Sequence, residues 1–111
     1  MRIISCKVGH KAVIDEIQNH LYYLQKFVDG PVEVVASPTG YVLICNEEGK
    51  QNGLPMNPVM DFWKSQLWSW PEFVSGDYLI CCKDDEGFIG IPDNDATDDL
   101  IMALNDERKI R

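Results

Sequence analysis

AVIDEIQNHLYYLQKFVDGPVEVVA, residues 12–36, decides the fold, because its apolar rhythm changes twice. Ala12-Val13-Ile14 follows the turn signal Val8-Gly9-His10-Lys11 and reads as a short strand. Ile14, Ile17, Leu21, Leu24 and Val28 then recur at spacings of three and four, which puts them on one face of a helix. Asp15 and Glu16 open that helix, where its dipole favours acids. Asp29-Gly30-Pro31 closes it: Gly30 suits the left-handed position after the last turn, and Pro31 cannot continue the helix. Val32–Ala36 returns to strand.

The same reading extends outward. Arg2–Cys6 is a first strand, and Tyr41–Cys45 carries the continuous apolar run of a central one. Tyr78–Cys82 and Phe88–Ile91 form a hairpin across Lys83–Gly87. Asp95 caps a C-terminal helix, with Asp98 three residues on and Ile101 and Leu104 facing inward. The charged tail 106–111 is expected to fray. Residues 46–76 read as irregular, with a helical turn around Asp61–Leu67. The order predicts one α+β domain over residues 1–111, with a mixed, mostly antiparallel sheet. Its opening hairpin–helix–strand unit is β-grasp-like.

Charge and cysteine usage narrow the classes. The net charge is −8, and residues 84–107 hold nine acids and no base. Phosphate repulsion argues against direct binding of DNA or RNA. A basic protein partner fits such a face, and so does a plain solvated surface. Cys6, Cys45, Cys81 and Cys82 lie in apolar runs with no Cys-x-x-Cys spacing, so they read as reduced core residues and not as zinc ligands. A cytoplasmic location follows. The N-terminus turns polar too soon for a signal peptide, and no apolar run spans a bilayer.

Val42-Leu43-Ile44-Cys45 breaks abruptly into a polar loop, from Asn46 through Asn57, that is rich in Gly and Asn and ends in two prolines, Pro55 and Pro58. Irregular segments on rigid scaffolds are where binding concentrates. Asn46, Asn52 and Asn57 offer amide hydrogen bonds, and Lys50 offers a cation for phosphate. Trp63, Trp68 and Trp70 crowd into eight residues and read either as core or lid, or as rings that stack on a ligand. His10 sits in a turn and His20 on the polar side of the first helix, neither within a nucleophile signature, so no catalytic residue is assigned. Asp93–Asp99 resembles a calcium loop but has Asp98 and Leu104 where an EF-hand needs Gly and Glu. No phosphate-cradling glycine motif occurs. Neither a metal nor a cofactor is expected.

The block Asn46-Glu47-Glu48-Gly49-Lys50, followed by Asn52-Gly53-Leu54-Pro55 and Asn57, resembles an uncharacterised family, the domain of unknown function numbered 3846. Leu21, Leu24-Gln25, Val28, Gly30 and Val32–Val35 fit its helix-then-strand block, and Gly76, Ile80 and Asp84–Gly87 its closing hairpin. The resemblance covers about residues 1–105. The chain departs from the pattern at residues 59–75, where it carries the three tryptophans. The resemblance implies a phage or mobile-element origin, with action in the host cytoplasm, and supplies no reaction.

In that context the expected function is non-enzymatic. The chain would sequester a small nucleotide-like ligand, such as a host immune signal, as an anti-defence sponge. The ligand would be held by Asn46, Lys50, Asn52, Asn57, Trp63, Trp68 and Trp70, with a homo-oligomer expected because a shared interface makes a deep pocket from small chains. The alternative is an inhibitor or adaptor whose acidic face meets a basic host protein. The loop also has a purely structural reading, as a corner of the fold with Gly49, Gly53 and Pro55 present for backbone shape.

Overall fold

The computed structural model describes residues 1–37, 39–59 and 73–108. The helical turn expected around Asp61–Leu67, and with it Trp63, Trp68 and Trp70, lies outside the described residues. Among the described residues the order is β1 (Arg2–Cys6), β2 (Val13–Glu16), α1 (Leu21–Val28), β3 (Val32–Ala36), β4 (Tyr41–Asn46), β5 (Met56–Pro58), β6 (Phe73–Ser75), β7 (Tyr78–Asp84), β8 (Gly87–Ile89) and α2 (Asp95–Glu107). The main sheet runs β2-β1-β7-β4-β3, with β8 paired to β7, while β5 and β6 form a separate two-stranded ribbon. The α+β class, the opening hairpin–helix–strand unit and the C-terminal helix are all present. Each of the six described pairings is antiparallel, so the β-grasp likeness rests on the opening unit alone.

Alternation explains why the inner strands are apolar throughout. Ile3, Val42, Ile44, Leu79 and Cys81 point to one face and pack with Leu24 and Val28 of α1. Ile4, Cys6, Tyr41, Leu43, Cys45, Tyr78 and Ile80 point to the other and pack with Leu100 and Leu104 of α2 and Val74 of β6. A strand covered on both faces needs no polar positions. Each of these buried aliphatic side chains contributes about 1.5–3 kcal/mol relative to exposure. Two polar contacts fix α2 against the sheet. The Tyr41 and Thr97 hydroxyls meet at 2.7 Å, and the Asn105 amide brackets the backbone N–H and C=O of Ala12 at 2.7 and 3.1 Å.

Three local expectations need correction. The first helix is shorter than its apolar spacing implies, because Val13–Glu16 pairs with β1 and puts Ile14 opposite Ile4. Ile14 and Ile17 matched the helical period by coincidence, and cross-strand pairing prevailed. His20, expected on the polar side of the helix, caps it instead: its Nδ1 accepts from the Tyr22 N–H at 3.1 Å. The left-handed residue ending α1 is Asp29 (φ 61°, ψ 44°) and not Gly30, since a short polar side chain tolerates that conformation. At α2 the cap is Asn94, one residue before the expected Asp95, with its Oδ1 accepting from the Thr97 N–H at 3.0 Å.

Candidate functional site

The Asn46–Asn57 loop is built around its own asparagines. Asn46 ends β4 with its side chain turned to the C-terminus of α1, where carbonyls lack helical partners. Its Nδ2 donates to Val28 O and Asp29 O, both at 3.0 Å, and its Oδ1 accepts from the Glu48 N–H at 2.7 Å. One amide thus joins helix, strand and loop. Gly30 lies against it, and a Cβ there would stand 2.7 Å from Asn46 Nδ2. Gly49 lies against the Ser75 carbonyl so closely that a side chain could not be admitted. The Leu54 N–H then closes the loop on Gly49 O at 2.9 Å.

Asn57 is fully buried in β5. Its Nδ2 donates to Cys6 O at 2.9 Å and Gly76 O at 2.8 Å, and its Oδ1 accepts from Arg108 Nη1. Arg108 is 5% exposed and ends α2. Its guanidinium also reaches His10 O at 2.9 Å, Pro58 O at 3.0 Å and Lys7 O. Among the described residues no carboxylate pairs with it. Carbonyl dipoles satisfy the charge instead, which ties the Lys7–His10 turn, β5 and the end of α2 together at one point. The tail expected to fray therefore carries a buried anchor at Arg108.

Two of the loop's expected binding residues, Asn46 and Asn57, thus have their amides engaged within the fold. Asn52 is exposed, with its backbone N–H bonded to Glu48 O at 2.9 Å. Lys50 is exposed and lies with Nζ 5.4 Å from the centre of the Phe73 ring.

Lys50 and Phe73 line a groove of about 540 Å³ on the α2 side of the sheet. Glu33, Val35 and Cys45 form one wall, Glu47 and Gln51 the rim, and Val74 and Ser75 continue the Phe73 side. Glu33 accepts from Cys45 Sγ at 3.6 Å. The tryptophan segment starts after Val59 and ends at Phe73, and Pro58 and Phe73 are paired across the ribbon, so both ends of that segment are rooted beside the groove. Sequence reasoning did not single out Glu33, and from the aromatic cluster that Phe73 ends it chose only the tryptophans as site residues. The signals were present: one acid inside the apolar run Val32–Ala36, and the last ring of the aromatic cluster.

The groove offers ring stacking, one cation and two carboxylates. It does not offer a ready thiolate. Burial pushes the Cys45 thiol up to about 12, with Glu33 adding to the rise, and burial does the same for Cys6 and Cys81. Thiols so shifted stay protonated near neutral pH and are poor nucleophiles. Among the described residues no group of three His, Cys, Asp or Glu side chains is arranged to hold a metal ion, and no helix is long and apolar enough to cross a membrane.

A family model described as a domain of unknown function (DUF3846) matches residues 1–105. No curated protein and no solved structure matches the chain.

Proposed function

We propose, for a chain that belongs to the DUF3846 family of domains of unknown function, that it binds a small ligand without transforming it, and that the Glu33–Lys50–Phe73 groove is the site. The observation that carries this reading is the placement of the Lys50 cation 5.4 Å from the Phe73 ring centre inside a groove of about 540 Å³. That volume falls within the usual range for small-molecule sites, roughly 300–1,000 Å³. A planar heterocycle would stack on Phe73, its amino group would donate to Glu33, and Lys50 would meet a phosphate. Glu33 and Glu47 disfavour a polyphosphate, so a mononucleotide or cyclic nucleotide fits best. Held intact, such a ligand would be sequestered, as an anti-defence sponge sequesters a host immune signal. A homo-oligomer would deepen the groove by sharing it between copies.

Calorimetric titration with nucleoside monophosphates and cyclic nucleotides tests the proposal. We expect one saturable isotherm, weakened by Lys50→Gln and by Phe73→Ala, with the ligand recovered unchanged by mass spectrometry. Silence across the panel would sink the reading, and product formation would make the protein an enzyme. The alternative of a basic protein partner draws on the exposure of Asp85, Glu86, Asp95, Asp98 and Asp99. It expects a salt-sensitive complex that survives both groove variants.

A further inference from the structure

We infer that the β1–β2 hairpin carries a second binding site, separate from the groove, for the phosphoryl group of a small phosphomonoester. Ser5, Val13 and Asp15 share the α1 side of the sheet, because each strand alternates and Ser5 pairs with Val13 while Ile3 pairs with Asp15; Lys7 and Lys11 lie in the turn that joins the two strands. On that side Ser5 is buried and pairs with Leu79, a residue of the α1-side core. A recess of about 350 Å³ remains there, lined by Ser5, Lys7, His10, Lys11, Val13 and Asp15.

The floor of the recess holds an unfilled polar group. Ser5 is 3% exposed, and its hydroxyl has no hydrogen-bond partner among the described residues. A buried hydroxyl left in that state is costly, and an anionic oxygen entering the recess would satisfy it. Around it stand Lys7, Lys11 and His10, in a chain whose net charge is −8. Two lysines against the single Asp15 make the recess locally positive, the reverse of the molecule as a whole. That local excess is the condition for recruiting a phosphoryl dianion.

The turn and Lys7 are also preformed. Lys7 Nζ lies 5.9 Å from the centre of the Phe27 ring, which keeps the ammonium on the α1 side. The turn is closed by the His10 N–H donating to Lys7 O at 3.0 Å, and Arg108 holds the carbonyls of both Lys7 and His10 from below. The ordering that a ligand must still impose falls on Lys11. The volume exceeds that of a bare phosphate, and Asp15 at the rim accepts a hydroxyl while repelling a second phosphoryl group. The matching chemistry is therefore one phosphate on a small hydroxylated carbon chain.

The test is an amide-resolved NMR titration of the full chain with glycerol phosphate, inorganic phosphate and glycerol. Saturable shifts confined to Ser5, Lys7, His10, Lys11 and Val13 are expected with both phosphorylated probes, tighter for glycerol phosphate, and none with glycerol. Ser5→Ala and Lys11→Gln should each weaken binding about tenfold, the effect of one lost charge-assisted hydrogen bond. Lys50→Gln, on the opposite face of the sheet, should change nothing, which separates this site from the groove. Absence of saturable shifts, or unchanged binding in Lys11→Gln with its spectrum otherwise native, overturns the site. Equal affinity for the two phosphorylated probes overturns the monoester assignment.

Discussion

Gly30 and Asn46 occupy one space: a Cβ on Gly30 would stand 2.7 Å from the Asn46 Nδ2 that is tied to Val28 O and Asp29 O. The glycine is small because the amide needs the room. Gly30→Ala should lower stability by about 2 kcal/mol, through the clash and through its φ of 157°. Asn46→Ala alone should also destabilise, since it frees the carbonyls that end α1. Adding Gly30→Ala to Asn46→Ala should then cost clearly less than 2 kcal/mol, because the clashing atoms are gone. Urea melts of the four proteins measure this, and strict additivity would remove the steric argument.

Asn57 and Arg108 give a second, stronger coupling. Asn57→Ala strands Cys6 O, Gly76 O and part of a buried guanidinium, and should cost about 3 kcal/mol. Arg108→Met removes the charge and leaves Asn57 Oδ1 and His10 O without their donor, at a similar cost. The double variant should lose far less than the sum. Thermal melts that place either single variant near the parent would mean the node is peripheral.

Strands and helices were legible where one physical signal dominated. Tyr41–Cys45 and Tyr78–Cys82 read correctly because burial on both faces leaves only apolar residues. The helix start misread because Ile14 and Ile17 satisfy the helical period while tertiary pairing claims Val13–Glu16 for β2. The β5–β6 ribbon was invisible: three-residue strands carry no period, and their pairing spans a long intervening segment. The loop was legible as a place but not as a set of roles. An asparagine offered to a ligand and one offered to a carbonyl such as Cys6 O look alike in sequence, and only the partner distinguishes Asn57 from Asn52.

The thiols set an alkaline limit. Cys6, Cys45 and Cys81 are raised by burial from an ordinary 9.0 to about 12 in the fold. A raised pKa favours the protonated folded form, so this contribution is complete below pH 9 and is lost as pH climbs from 9 towards 12. With three such thiols ionising first in the unfolded chain, stability should fall by about 4 kcal/mol per pH unit across that window. Unfolding should therefore set in above pH 9, and Cys81→Ala should flatten the slope by about a third. A flat urea midpoint from pH 8 to 11 would contradict the burial of these groups.

Groove variants should separate binding from folding. Phe73 is 39% exposed and Lys50 lies at the surface, so removing either side chain should change stability by no more than about 0.5 kcal/mol. Their effects on a bound nucleotide should be larger and of different kinds. Phe73→Ala removes the stacking face and should weaken binding about tenfold at any ionic strength, because stacking is not screened. Lys50→Gln removes a charge facing phosphate and should weaken binding mainly at low salt, converging with the parent as salt is raised. Glu33→Gln keeps the shape of the wall and removes one anion. It should strengthen the hold on phosphate while weakening the hold on a base that donates to Glu33, so nucleotides whose bases lack an amino group should gain and those that carry one should lose. Calorimetry of the three variants at two salt concentrations resolves these patterns. If all three lower affinity equally, or only in step with lost stability, the groove is a feature of packing and not the binding site.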